Sequence, residues 1–218
     1  SGSGSSTVDK ILYLEKTEII KKIEVSLKNA IPVRLYFDND KPAKGDTPET
    51  SATNYTESYF TYYNKREKFK QVYGNQVSLK RRDEAIAEID ALFLNNIKGG
   101  FDKYENFKNQ LLVVLEAELP VNIYLRGYAS PVAKNEYNTA LGKRRVDSIR
   151  KEFDEWRGGI FIPYIESGQL VITERSFGEE TAPPNISDDP RKPASSIYSP
   201  AASIERRVEI DEINFNEN

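Results

Sequence analysis

Hydrophobic and polar positions alternate most cleanly from Val121 to Gly127, where Val121, Ile123 and Leu125 are interleaved with Asn122, Tyr124 and Arg126. A period of two predicts a strand with one buried face. Gly127 ends the alternation, and Tyr128-Ala129-Ser130-Pro131 forms a short connection. The period then lengthens, and a helix is expected from near Asn135 to about Trp156, closed by Gly158-Gly159. At about 100° per residue, Gly142, Val146, Ile149, Phe153 and Trp156 share one narrow stripe, with Leu141 at its edge. Arg145 projects between Leu141 and that stripe, whereas Lys143 and Arg144 point elsewhere. Burying an unpaired guanidinium is costly, so Arg145 requires an anionic partner, either another side chain or a ligand.

The same reading extends along the chain. Thr7 to Ala30 mixes Ile11, Leu14, Ile19, Ile20 and Ile23 with many charges and suggests one or two helical turns around Ile19–Ile23. Ile31 to Phe37 reads as a first core strand, with Pro32 at its start. Residues 41–54, rich in Pro, Thr, Ser, Gly and Lys, read as a loop. Tyr55, Tyr59, Tyr62, Tyr63, Phe69 and Tyr73 recur at helical spacing, and such an aromatic stripe is expected to pack into a core. A further helix is expected from about Ser78 to Ile97, stopped by Gly99-Gly100. Another runs from Phe101 to Leu119, ended by Pro120. After a short apolar piece at Ile160–Tyr164, strands are expected at Leu170–Arg175 and Ile204–Ile213, with a loop over 183–200 between them. The order is one of strand, helical segment, helix, strand, helix, strand, loop and strand, which makes a single α/β domain of two layers. A right-handed crossover would place the ends of the first two strands side by side, bringing Asp38 near Ser130.

Composition narrows the chemistry. With no Cys and no His, disulfides, thiol nucleophiles, Cys/His zinc sites and a Ser-His-Asp triad are excluded. A net charge of −3, from 31 basic and 34 acidic residues, argues against a nucleic-acid partner. The hydrophobic share of 38% suits a packed core. No run of roughly eighteen apolar residues suggests a membrane span. Ser1 to Ser6 reads as a linker or tag remnant, leaving 7–218 as one domain.

Three separated blocks carry a family resemblance. Gly127-Tyr128-Ala129-Ser130, followed by Asn138-x-x-Leu141-Gly142-x-x-Arg145, resembles the Gly-His-Thr-Asp and Asn-x-x-Leu-Ser-x-x-Arg signature of OmpA-like domains. Glu205-Arg206-Arg207-Val208-Glu209-Ile210 resembles the closing Asn-Arg-Arg-Val-Glu-Ile strand, and Leu35-Tyr36-Phe37-Asp38 the first strand's Phe-Phe-Asp. Gly178-Glu179-Glu180 is similar to the family's Gly-Glu loop. The variants Phe37-Asp38-Asn39-Asp40, Gly127-Tyr128-Ala129-Ser130-Pro131 and Ser196-Ile197-Tyr198-Ser199 look most similar to the C-terminal domain of PorE-type lipoproteins associated with type IX secretion. The resemblance implies an OmpA-like two-layer sandwich, β-α-β-α-β-β with a mixed sheet, in which residues 41–100 are a helical insertion after the first strand.

It also implies a noncatalytic function: binding the diaminopimelate of the peptidoglycan stem peptide, so that an outer-membrane secretion complex is anchored to the cell wall. The location implied is the periplasm, within an outer-membrane-anchored lipoprotein whose anchor lies upstream. The partners would be the stem peptide and secretion-complex proteins, with no cofactor, metal or membrane contact by the domain itself. The implied ligand residues are Asp38, Asn39, Asp40, Tyr128, Ala129, Ser130, Asn138, Leu141, Arg145 and Arg206. Diaminopimelate ends in an ammonium and a carboxylate, and Arg145 suits the carboxylate. Ser130 stands where most of the family has Asp, so Asp38 or Asp40 is expected to supply the missing negative charge. Asp38-Asn39-Asp40 also reads as turn chemistry, and as calcium ligation it lacks the glycine and distal Glu of an EF-hand. Arg145 could instead pair internally with Asp38, Asp40 or Glu205, and Asn138 either contacts ligand or caps a loop. Arg206 and Arg207 face opposite sides of a strand. Two other readings stand beside this one: a docking domain that has lost wall binding, with 41–100 as its interface, and a carboxylate hydrolase using Glu179 and Glu180 or Asp188 and Asp189. Adjacent acids do not straddle a scissile bond at the required separation of about 5–10 Å, which disfavours the hydrolase.

Overall fold

Gly127 and Tyr36 end two strands that lie on either side of a third. The structure, a computed structural model, describes residues 7–128, 135–175 and 191–215. Its four strands are β1 (Val33–Tyr36), β2 (Val121–Gly127), β3 (Leu170–Glu174) and β4 (Arg207–Phe215). They form one mixed sheet in the order β1-β4-β2-β3. β4 is antiparallel to both β1 and β2, and β2 is parallel to β3. The expected adjacency of the first two strands is therefore corrected: β4 separates them. Antiparallel pairing on both sides nevertheless leaves β1 and β2 pointing the same way, with Tyr36 opposite Arg207 and Gly127 opposite Val208. Both C-terminal ends open at one edge.

Alternation along β2 buries Val121, Ile123 and Leu125 and leaves Asn122, Tyr124 and Arg126 partly exposed. β4 keeps Val208, Ile210 and Ile213 in the core. A register shift opposite Tyr124 and Leu125, at Asp211, restores the phase between Ile210 and Ile213, as a bulge does. The apolar face is covered by the helices α5 (Gly99–Glu116) and α6 (Asn135–Glu155). Their Phe107, Leu111, Leu115, Val146, Ile149 and Phe153 are buried in the common core. The opposite face is polar, with Thr173 donating to Asn122 Oδ1 and Arg175 paired with Asp211 and Glu212. The chain thus has an α/β fold with the expected strand and helix order.

Several elements differ from expectation. Thr7–Ala30 is one continuous helix, α1, whose Leu27, Ile20 and Ile23 reach the core. A Glu18–Lys22 pair one turn apart is typical of the exposed remainder. The aromatic stripe belongs to two helices, α2 (Tyr55–Tyr63) and α3 (Arg66–Gly74), and Tyr55, Tyr59, Tyr62 and Phe69 are buried as expected. After α4 (Arg82–Ala91), Leu92–Lys98 adopts a π-helical turn that buries Leu92, Phe93 and Ile97. Gly99-Gly100 does not stop this helix but starts α5. A Cβ on Gly100 would lie 2.3 Å from the Arg34 carbonyl oxygen, so glycine there permits the helix to touch β1. Gly158 and Gly159, by contrast, do adopt the left-handed conformation that closes α6. The short α7 (Ile162–Glu166) follows. Within 191–200, expected as loop, lies α8 (Pro193–Ser196). Then α9 (Pro200–Ile204), capped by Ser199 accepting from the Ala202 amide, replaces the expected start of the last strand. Among the described residues no helix is long and apolar enough to cross a membrane.

Candidate functional site

The shared edge of β1 and β2 collects most of the residues singled out above. The chain leaves β1 through Phe37, whose amide donates to the Arg206 carbonyl, and turns at Asp38-Asn39-Asp40. Asp38 stabilises that turn by accepting from the Asn39 amide at 2.8 Å. Asp40 has a φ of 54°, a left-handed conformation that Asp tolerates better than most residues. Across the edge, Tyr128 extends β2 by donating its amide to the Arg207 carbonyl, and its ring lies 4.1 Å from the Arg207 guanidinium carbon.

Arg145 joins the two segments. It is fully buried, donating from Nε to the Lys41 carbonyl at 3.0 Å and from Nη1 to the Tyr128 carbonyl at 2.7 Å. The guanidinium carbon is 5.7 Å from the centre of the Phe37 ring. Its Nη2 has no hydrogen-bond partner among the described residues. The internal salt bridge weighed from sequence does not form. Asp38 is taken by Lys65 at 2.5 Å, Glu205 by Arg207, and Asp40 accepts from Asn39 Nδ2 at 3.1 Å and from the Tyr137 hydroxyl at 3.3 Å. Burial, with Arg206 alongside, lowers the Arg145 pKa to about 9, while Asp40 opposes the shift. The group is still a cation at neutral pH.

Arg206 is equally buried. It donates from Nε to the Phe37 carbonyl and from Nη2 to the Ile197 carbonyl and Ser203 Oγ, and its Nη1 lacks a partner among the described residues. Arg206 therefore lies beneath the edge that Asp40 and Tyr128 form. Arg207 faces the other way and pairs with Glu205 and Glu209, consistent with opposite faces of a strand. Leu141 is buried one turn before Arg145, and Asn138 is half-buried a further turn away. Ala129 and Ser130 lie outside the described residues, as do Pro131, Gly178, Glu179, Glu180, Asp188 and Asp189.

Three further residues belong to this edge. Lys65, from the turn between α2 and α3, occupies Asp38, and Tyr137 reaches Asp40 from the first turn of α6. Arg144 does point away from Arg145, yet it is buried beneath the 42–48 loop, donating to the Pro48 and Pro42 carbonyls. Only Tyr137 carried a signal in sequence, being eight residues, about two turns, ahead of Arg145 on the same helix. The edge thus offers a charged, hydrogen-bond-donating floor at Arg145 and a carboxylate at Asp40, exposed to solvent and free of any ion pair among the described residues. Such a pair suits a ligand bearing both a carboxylate and an ammonium. Among the described residues no group of three or more His, Cys, Asp or Glu side chains could hold a metal ion. Family models, curated proteins and solved structures yield no match to this chain.

Proposed function

We propose that this chain binds the peptidoglycan stem peptide without catalysis, holding the carboxylate of diaminopimelate at Arg145 and its ammonium at Asp40. In this reading it is an OmpA-like domain of a periplasmic, outer-membrane-anchored lipoprotein that fastens a secretion complex to the cell wall, and residues 41–100 are its insertion. The observation that carries the reading is Arg145, buried between the ends of β1 and β2 with an unpartnered Nη2 and no acid paired to it among the described residues. Each charge-assisted bond to such a ligand contributes about 1.5–3 kcal/mol, roughly one to two decades in affinity.

The test is sedimentation on purified insoluble peptidoglycan, wild type beside Arg145→Ala, with circular dichroism to establish that both are folded. Wild type in the pellet and the variant in the supernatant is the expected result. Both folded proteins remaining in the supernatant would remove the wall as ligand. A second reading, a docking domain for secretion-complex proteins, is favoured by three large apolar side chains that the 41–100 segment leaves exposed, Phe60, Leu79 and Leu94. It predicts capture of those partners with no sedimentation on the wall.

A further inference from the structure

Three guanidiniums are buried around the turn that follows β1, and backbone carbonyls supply nearly all their acceptors. Arg144 and Arg145 each donate to two carbonyls, and Arg206 donates to two carbonyls and one serine hydroxyl. A carbonyl dipole satisfies an N–H group but carries no net charge, so hydrogen bonding here leaves the charge uncompensated. Among the described residues the nearby carboxylates do not cancel it. Asp38 is neutralised by Lys65, leaving Asp40, which lies in solvent. Arg145 experiences both Arg206 and Arg144 as repelling neighbours, with Asp40 and the Tyr137 hydroxyl opposing them.

The unsatisfied donors sit on the same two residues. Arg145 Nη2 and Arg206 Nη1 are both inaccessible to solvent and without partners among the described residues. Both guanidiniums attend Phe37, Arg206 through its carbonyl and Arg145 over its ring. The Tyr62 hydroxyl, also buried without a hydrogen-bond partner among the described residues, lies beside Arg206 and is neutral. Two cations that meet at Phe37 therefore form an arrangement that an anion stabilises and a neutral acceptor satisfies only in part.

We propose that Arg145 and Arg206 share a buried site for a small inorganic anion, which acts as a structural counter-ion beneath the turn at Phe37–Lys41. The site shares Arg145 with the wall-ligand reading but differs from it in occupant and in its second charged group, Arg206, which is fully buried below the edge where Asp40 is exposed. The anion locks the end of β1 to the start of β4, and its removal loosens that junction.

Thermal unfolding of the whole chain tests this at constant ionic strength, replacing sodium isethionate, whose anion is bulky, stepwise by sodium chloride or by sodium phosphate. A saturable rise of roughly 3–6 °C is expected, absent from Arg206→Lys, which keeps a charge but removes the forked donor. Chloride giving the rise identifies a halide site, and phosphate alone giving it identifies an oxyanion site. Equal rises in wild type and Arg206→Lys would show a general salt effect and overturn the proposal. Should Arg206→Lys fail to fold, wild-type crystals grown in bromide provide the second measurement. An anomalous peak between Arg145 and Arg206 supports the site, and its absence together with a melting temperature indifferent to both anions overturns it. Wall sedimentation repeated in isethionate alone keeps the two readings separate: binding there, with no anion effect on melting, sinks this inference and leaves the wall reading standing.

Discussion

Asp38 and Asp40 are two residues apart, yet they offer a ligand different things. Asp38 is buried, with one oxygen on the Asn39 amide and the other on the Lys65 ammonium. Lys65 already occupies the place that a ligand's ammonium would take. Among the described residues Asp40 accepts from neutral donors alone, Asn39 and Tyr137 of α6, and it is exposed to solvent. If the wall reading holds, Asp40→Asn should weaken binding of a soluble diaminopimelate-containing tripeptide by about tenfold, following loss of a charge-assisted bond. Asp38→Asn should leave the affinity within about twofold and lower the melting temperature, because Lys65 loses its partner. Titration calorimetry on both variants decides between the acids. The opposite ranking would place the ammonium at Asp38 and imply that Lys65 moves aside.

At the scale of elements, the strand β2 and the helix α6 were legible because each has a single clear period over seven or more residues. Arg145 was legible as an inward cation for the same reason. What escaped depends on contacts between distant segments. Lys65 meets Asp38 across 27 positions, and Arg144 meets Pro48 across 96. No local pattern announces either. The insertion of β4 between β1 and β2 is likewise a long-range outcome that strand periodicity does not encode. Gly99-Gly100 misled for a different reason: glycine marks both helix ends and close backbone approach, and only packing distinguishes the two. That distinction is measurable. A Cβ at residue 100 would collide with the Arg34 carbonyl at 2.3 Å, whereas at residue 99 the nearest atom, the Leu94 carbonyl oxygen, is 3.5 Å away. Gly100→Ala should therefore destabilise by about 1–3 kcal/mol through forced separation of α5 from β1. Gly99→Ala, in an ordinary helical conformation, should be neutral or stabilise by about 0.4–1 kcal/mol. Urea unfolding of the two variants would expose an error in this account if they proved equal.

Across the whole molecule, α6 is the spine to which the 41–100 segment is attached. Asp147 accepts from the Ser51 amide, Glu155 from Asn54 Nδ2, and Glu152 from both the amide and the hydroxyl of Thr56. Lys108 of α5, fully buried, completes the junction with Glu152 at 2.6 Å and Glu105 at 2.6 Å, its ammonium lying over the rings of Tyr104 and Trp156. This junction connects three helices, and α2, which starts there, leads to Lys65 at the candidate site. Lys108→Met fills the same volume but leaves Glu152 buried without its cation, so it should cost about 3–5 kcal/mol. Adding Glu152→Gln removes the stranded charge while keeping an acceptor for Thr56, so the double variant should be more stable than Lys108→Met alone. Hydrogen exchange on Lys108→Met should show α2 and the turn at Asp38–Lys41 losing protection together, because one carboxylate anchors the helix that delivers Lys65. Loss of protection confined to α5 would mean that the junction is local, and that the 41–100 segment reaches the site through its own packing and not through α6.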